Sequence, residues 1–88
     1  MDRDARIKRL RFRAWHRGTK EADLLIGGFF DVHHGDWSDA EIAAFELLLE
    51  EQDVDIMAWA MGTQVVPAAY EGSIMAALRT LSYVPISR

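Results

Sequence analysis

The chain has 88 residues, half of them apolar and 27% charged, which leaves room for one soluble globular domain spanning 1–88 and no second. It contains no cysteine, so disulfides, thiolate metal sites and cysteine nucleophiles are excluded together. The net charge of −4 is unevenly spread: residues 1–20 hold eight bases against two acids, and residues 21–78 hold twelve acids and no Lys or Arg.

That distribution sets one basic element on an acidic body that repels nucleic acid and anionic lipid. A chain this short buries only roughly 60% of the surface its unfolded form exposes, so the core is thin and a deep enclosed active site is hard to build. The longest apolar runs, such as Leu24-Leu25-Ile26, fall far below the roughly 18 residues of a membrane span. The basic N-terminus lacks the apolar stretch of a signal peptide and carries Asp2 and Asp4. The expectation is a cytoplasmic protein made without a targeting segment.

Apolar residues follow a helical period almost throughout, with no sustained alternation of the kind a half-buried strand shows. A first helix is predicted from about Asp4 to His16, with Ile7, Leu10 and Ala14 on one face and Arg6, Arg9, Arg13 and Arg17 in a stripe on another. Gly18 ends it as a C-cap. A second helix covers about Lys20 to Val32 and buries Ala22, Leu25, Ile26, Phe29 and Phe30. Its Gly27 and Gly28 each cost about 1 kcal/mol relative to Ala, a cost that close approach of a neighbouring helix would offset.

The clearest start signal is Ser38 as N-cap with Glu41 three residues on, and Trp37 with Ile42 as a hydrophobic staple. The third helix then runs from Asp39 to about Glu50 and buries Ile42, Phe45, Leu48 and Leu49. A short fourth helix is capped by Asp53, turns Ile56 and Trp59 inward and stops at Gly62. After a linker over Thr63 to Val66, a fifth helix starts at Pro67, exposes its core face at Tyr70, Ile74, Ala77, Leu78 and Leu81, and ends near Tyr83 before Pro85. The predicted fold is all-α, a compact irregular antiparallel bundle of five short helices.

Candidate chemistry is sparse. His33 and His34 are adjacent, so they point about 100° apart on a helix and cannot chelate one ion as an i, i+4 pair; they read as solvent-facing residues at a helix end. There is no phosphate-binding glycine loop and no nucleophile motif, so an enzyme is not expected. The arginine stripe, interleaved with Phe12 and Trp15, has the residue types that grip phosphates or acidic side chains, yet the same residues serve as the solvated side of an amphipathic helix on an acidic body. Arg17-Gly18-x-x-Glu21 places a guanidinium, an approachable backbone and a carboxylate at one tight corner between two helices. By spacing alone the better reading is a C-cap glycine with a local ion pair worth about 1 kcal/mol or less.

The run from His16 to Leu25 resembles the Arg-Gly-x-x-Glu motif of the succinate dehydrogenase flavinylation factors, called succinate dehydrogenase assembly factor 2 in eukaryotes. Leu47-Leu48-Leu49-Glu50, followed by Asp53-Val54-Asp55-Ile56 and Trp59, resembles that family's second block, and the Ser38 helix start lies between the two. His16 stands where the family often has a second arginine, and Val54 where it usually has proline. The resemblance covers roughly residues 6 to 62. It implies a five-helix helper that binds the flavoprotein subunit of succinate dehydrogenase, and in some bacteria fumarate reductase, and promotes covalent attachment of FAD to a histidine of that subunit. The attachment chemistry would then belong to the client and its bound flavin, while the missing ligand motifs and the absence of a sustained heptad seam lead to the expectation of a monomer with no stably bound cofactor or metal. Carried over by position, the client-binding residues are Arg17, Gly18 and Glu21 with Asp23 as neighbour; Arg13 and Arg9 of the stripe complete the expected set. The alternative is a small helical regulator that binds nucleic acid or a toxin-type protein through its basic first helix.

Overall fold

The computed structural model describes residues 2–81, which form helices α1 (Arg3–Trp15), α2 (Lys20–His33), α3 (Asp39–Leu48), α4 (Asp53–Met61) and α5 (Ser73–Leu78), with 3-10 turns at His34–Asp36 and Ala68–Tyr70. The expected all-α bundle of five short helices is what the chain forms. α1 packs on α2, α2 touches α4, and α3 carries α5.

Each helix buries the face its periodicity assigns. Leu10 and Ala14 of α1 are buried, as are Ala22, Leu25, Ile26, Phe29 and Phe30 of α2, and Ile42, Phe45 and Leu48 of α3. The centre of the core is aromatic: Trp37, from the turn before α3, packs its ring 5.0 Å from Phe45, 5.8 Å from Phe29 and 5.9 Å from Phe30. Such ring contacts add to simple burial, and they join α2 to α3. Gly27 serves the close approach expected of it. A Cβ there would lie 2.3 Å from the indole of Trp15, which donates from Nε1 to Asp31 at 3.2 Å and so lies flat over α2.

The start of α3 is built as its residues dictate. Glu41 N donates to the Ser38 hydroxyl at 3.2 Å, and the Glu41 carboxylate accepts from Ser38 N at 2.9 Å. Its second oxygen accepts from Ser73 at 2.8 Å and so ties α3 to the first turn of α5. These bonds hold the Glu41 carboxyl below its ordinary range, that from Ser38 N contributing most. Ser38→Ala is expected to cost about 1 kcal/mol in urea unfolding, since it strips the cap from the strand-free turn leading into the core helix. An unchanged midpoint would mean that Trp37 alone sets the start of α3.

Three expectations are corrected. α1 ends at Trp15 with His16 as its C-cap, and Gly18, at φ +114°, lies in the connection beyond. Asp53 is the first residue of α4 and not its cap; Gln52 occupies the cap position without a side-chain bond, and the Asp53 carboxylate is engaged by Arg17. The fifth helix is broken. Pro67 precedes a 3-10 turn, Gly72 follows at φ +149°, a value no helix accommodates, and α5 proper runs only from Ser73 to Leu78. Tertiary contacts hold the break in place: the Tyr70 ring stacks on Trp59 at 5.4 Å and its hydroxyl donates to Glu51 at 2.5 Å. Tyr83 and Pro85, at the expected helix end, lie outside the described residues.

Candidate functional site

The arginine stripe lies against an acidic counterpart. Arg3 pairs with Asp39 at 2.6 Å, Arg6 with Glu46 at 2.7 Å, Arg13 with Glu50 at 2.6 Å and Arg17 with Asp53 at 2.7 Å. Both series rise together along the chain, so α1 and α3 run in the same direction, as alternate members of an up-and-down arrangement do. The Arg3–Asp39 and Arg13–Glu50 pairs are the more solvent-exposed, and each is worth about 1 kcal/mol or less. Arg6 holds the Glu46 carboxyl below its ordinary range, chiefly by direct hydrogen bonding. A carboxyl depressed on folding stabilises above its unfolded pKa, and this contribution is lost as pH falls through the folded value.

Arg17 differs from the others in burial and in bonding. Its side chain is only 12% exposed. Nε donates to Asp53, and Nη2 reaches the carbonyls of Leu49 at 3.1 Å and Glu51 at 3.2 Å. These carbonyls follow the end of α3, where helical acceptors have no partners within the helix. The guanidinium therefore closes the α3–α4 turn and fastens it to the connection after α1. Its own backbone N donates to Asp23 at 2.6 Å, so Asp23 positions the connection from the first turn of α2. Thr19 completes the corner as the N-cap of α2, accepting from Ala22 N at 3.2 Å.

The expected Arg17–Glu21 pair is thus absent. Arg17 is turned inward, and Glu21 is exposed and forms no ion pair or hydrogen bond among the described residues. Gly18 stands between them, exposed, with nothing within 4 Å of where a Cβ would be. The corner consequently presents an approachable backbone and a free carboxylate on a rigid support. Arg13 is half-buried and held by Glu50, whereas Arg9 is exposed and acts on Glu46 only through its field. Of the six residues expected at the site, Arg17, Gly18, Glu21 and Asp23 form the corner; Arg9 and Arg13 belong to the stripe.

Next to the corner, Phe12 is 63% exposed and stacks on His16 with ring centroids 3.9 Å apart. His16 Nδ1 lies 2.7 Å from the Phe12 carbonyl, which can only accept, so the proton sits on Nδ1. His34 repeats the arrangement on Phe30, with Nδ1 2.8 Å from its carbonyl and the rings stacked at 4.4 Å. His33 and His34 are half-buried in this way and do not face solvent as the sequence reading had them. Among the described residues no cluster of His, Cys, Asp and Glu has the arrangement of a metal site, and no helix is long and apolar enough to cross a membrane.

Asp53, the partner of Arg17, is not among the residues expected at the site. A signal for it does exist: no base occurs between residues 21 and 78, so any carboxylate of α3 or α4 that is shielded from water has the first 20 residues as its main source of a cation. Also unforeseen is an open groove of about 600 Å³ beside Glu21, whose lining includes Thr19, Val54, Met57 and Met61.

A family model described as "Flavinator of succinate dehydrogenase" matches residues 8–82. Over 63 residues the chain is 41% identical to the FAD assembly factor SdhE of Acetobacter pasteurianus, a match covering 72% of this chain and 58% of that protein. It is 37% identical over 71 residues to a mitochondrial succinate dehydrogenase assembly factor 2 of Mycosarcoma maydis, covering 81% of this chain and 30% of the relative. With the mitochondrial succinate dehydrogenase assembly factor 2-B of Drosophila persimilis, identity is 35% over 78 residues, 86% of this chain and 50% of the relative. The chain thus spans between 30% and 58% of the length of these relatives. Since the matched residues take in α2 to α5 whole and most of α1, together with the corner built on Arg17, the chain belongs to the flavinator of succinate dehydrogenase family.

Proposed function

We propose that this chain is an assembly factor that binds the flavoprotein subunit of succinate dehydrogenase, and of fumarate reductase where one is made, and promotes covalent attachment of FAD to it. The protein is not an enzyme in this reading. It works in the cytoplasm as a monomer without a stably bound cofactor, and flavin and acceptor histidine both belong to the client. Its part is to hold the client in an attachment-ready conformation with the corner of Arg17, Gly18, Glu21 and Asp23 against it.

The observation that carries this reading is the division of labour at the corner. Arg17 and Asp23 spend their bonds inside the protein, which leaves Glu21 without a partner among the described residues, beside the open backbone of Gly18. A backbone held in place by such bonds binds a partner at a smaller entropic cost than a mobile one. The curated relatives named for FAD or succinate dehydrogenase assembly support the same reading. A regulator that binds nucleic acid or a toxin through the stripe is less well supported, because Arg3, Arg6, Arg13 and Arg17 are already paired with carboxylates of this chain. Steeply salt-dependent binding to nucleic acid would favour it.

Glu21→Ala separates a working corner from a structural one. The side chain is exposed and has no partner among the described residues, so the expected change in stability is within about 0.5 kcal/mol. Covalent flavin in the client subunit, read as fluorescence on a denaturing gel from cells carrying the variant, is expected to fall to a small fraction of the wild-type level. Normal flavin attachment with folded Glu21→Ala protein would remove the corner from the mechanism and leave the exposed Arg9 as the next candidate.

A further inference from the structure

The helix α4 has apolar residues on both of its sides. Seven of its nine residues, Asp-Val-Asp-Ile-Met-Ala-Trp-Ala-Met, are apolar. Ile56, Trp59 and Ala60 account for the core side. Val54 and Met61 point the other way, 66% and 54% exposed, with Met57 and Ala58 half-buried between them. A run of apolar residues on the outer face of a helix is normally covered, and in the described residues nothing covers this one. Together with Thr19 and Glu21 it forms the open groove of about 600 Å³, mostly apolar in its lining.

The charges at the groove are of one sign. Glu21 and Asp53 are the charged residues that line it, and Asp53 is neutralised by Arg17 from behind. Glu21 therefore supplies a negative charge that no ion pair among the described residues compensates, at the rim of an apolar shelf. The Arg17 clamp joins the start of α4 to the corner, so the spacing between carboxylate and shelf is fixed by the same bonds that build the corner. Methionine side chains suit such a shelf, since their flexible thioethers adapt to the shape set upon them.

We propose that the groove between Glu21 and the outer face of α4 is a docking surface for a protein segment that carries a basic side chain beside aliphatic or aromatic ones, the basic group pairing with Glu21 and its apolar neighbours lying on Val54, Met57 and Met61. The inference rests on the reading of the chain as a factor that binds a flavoprotein subunit, and it assigns to that binding a second contact beyond the corner. It makes α4 the affinity-giving half of the interface, because desolvated apolar contacts near the centre of an interface carry most of the binding energy.

The test uses the whole chain and the purified flavoprotein subunit, with affinity measured by titration calorimetry or fluorescence anisotropy. Two double variants change the exposed shelf residues: Val54→Asp with Met61→Asp, and Val54→Lys with Met61→Lys. Val32→Asp, at an exposed apolar residue elsewhere on α2, is the control. Circular dichroism identifies folded samples, and single Val54→Ser and Met61→Ser variants replace any double variant that unfolds. Both double variants are expected to weaken binding about tenfold or more, the lysine pair more than the aspartate pair because lysines repel a basic segment, while Val32→Asp binds as wild type. Folded shelf variants that bind as wild type, or a control that loses affinity equally, would overturn the docking surface and leave the proposed function standing. A weaker complex with the aspartate pair than with the lysine pair would overturn the basic segment. Failure of the wild-type chain to bind the subunit would overturn the functional reading, and the docking surface with it.

Discussion

Trp59→Ala is expected to lower stability by about 3–5 kcal/mol, enough to unfold much of so small a domain. The indole is 5% exposed and is part of the core side of α4. It also supports the break before α5: Tyr70 stacks on it, and Tyr70 in turn donates to Glu51, which follows the end of α3. This bond, the main influence on the phenol, raises the Tyr70 pKa above its ordinary value. Removing the indole thus leaves a cavity and frees the segment that crosses it. Trp59→Phe retains the ring contact and is expected to lose less than half as much. The measurement is equilibrium urea unfolding by circular dichroism. A folded Trp59→Ala protein that no longer binds the flavoprotein subunit would instead make Trp59 a contact residue.

Arg17→Ala is expected to cost about 2–3 kcal/mol, because it strands a shielded carboxylate and removes the donor for two turn carbonyls. Asp53 is left without its cation, and the oxygens of Leu49 and Glu51 lose the bridge that holds the α3–α4 turn to the corner. Arg17→Lys restores the charge but not the planar fork, so it reaches Asp53 and leaves the carbonyls unbridged; an intermediate midpoint in urea is expected. Asp53→Asn tests the pair from its other side and is expected to cost less than Arg17→Ala, since the carbonyl bonds survive. Loss of flavin attachment in Arg17→Ala would therefore report on the shape of the corner, while Glu21→Ala would report on the proposed contact. An Arg17→Ala protein with the wild-type midpoint would show that the guanidinium is not a clamp in solution, and Arg17 would return to the list of direct client contacts.

The corner was legible as a place in the sequence but not as an arrangement. Arg17, Gly18, Glu21 and Asp23 lie within seven residues, so any turn between two helices brings them together, and the family motif marks the same positions. Spacing favoured a local pair between Arg17 and Glu21. The competitor that won, Asp53, lies 36 residues away at the start of α4, which packs against α2. The same is true of the stripe: helical period put Arg6 and Arg13 on one face, and only the tertiary structure set Glu46 and Glu50 opposite them.

By itself the sequence determined the helices α1 to α4, their buried faces and the capping box at Ser38, because periodicity and capping act over three or four residues and need no knowledge of the rest of the chain. The tertiary structure decided the fate of the fifth helix, where the pattern of Tyr70, Ile74 and Leu78 suits a continuous helix but Gly72 turns away and Tyr70 is drawn to Trp59 and Glu51. It also decided which charges remain free. An ion pair is a competition among all carboxylates within reach of a guanidinium, and reach is set by how helices far apart in sequence pack. Arg17 is therefore turned inward and Glu21 left open to a partner by contacts that no local pattern encodes.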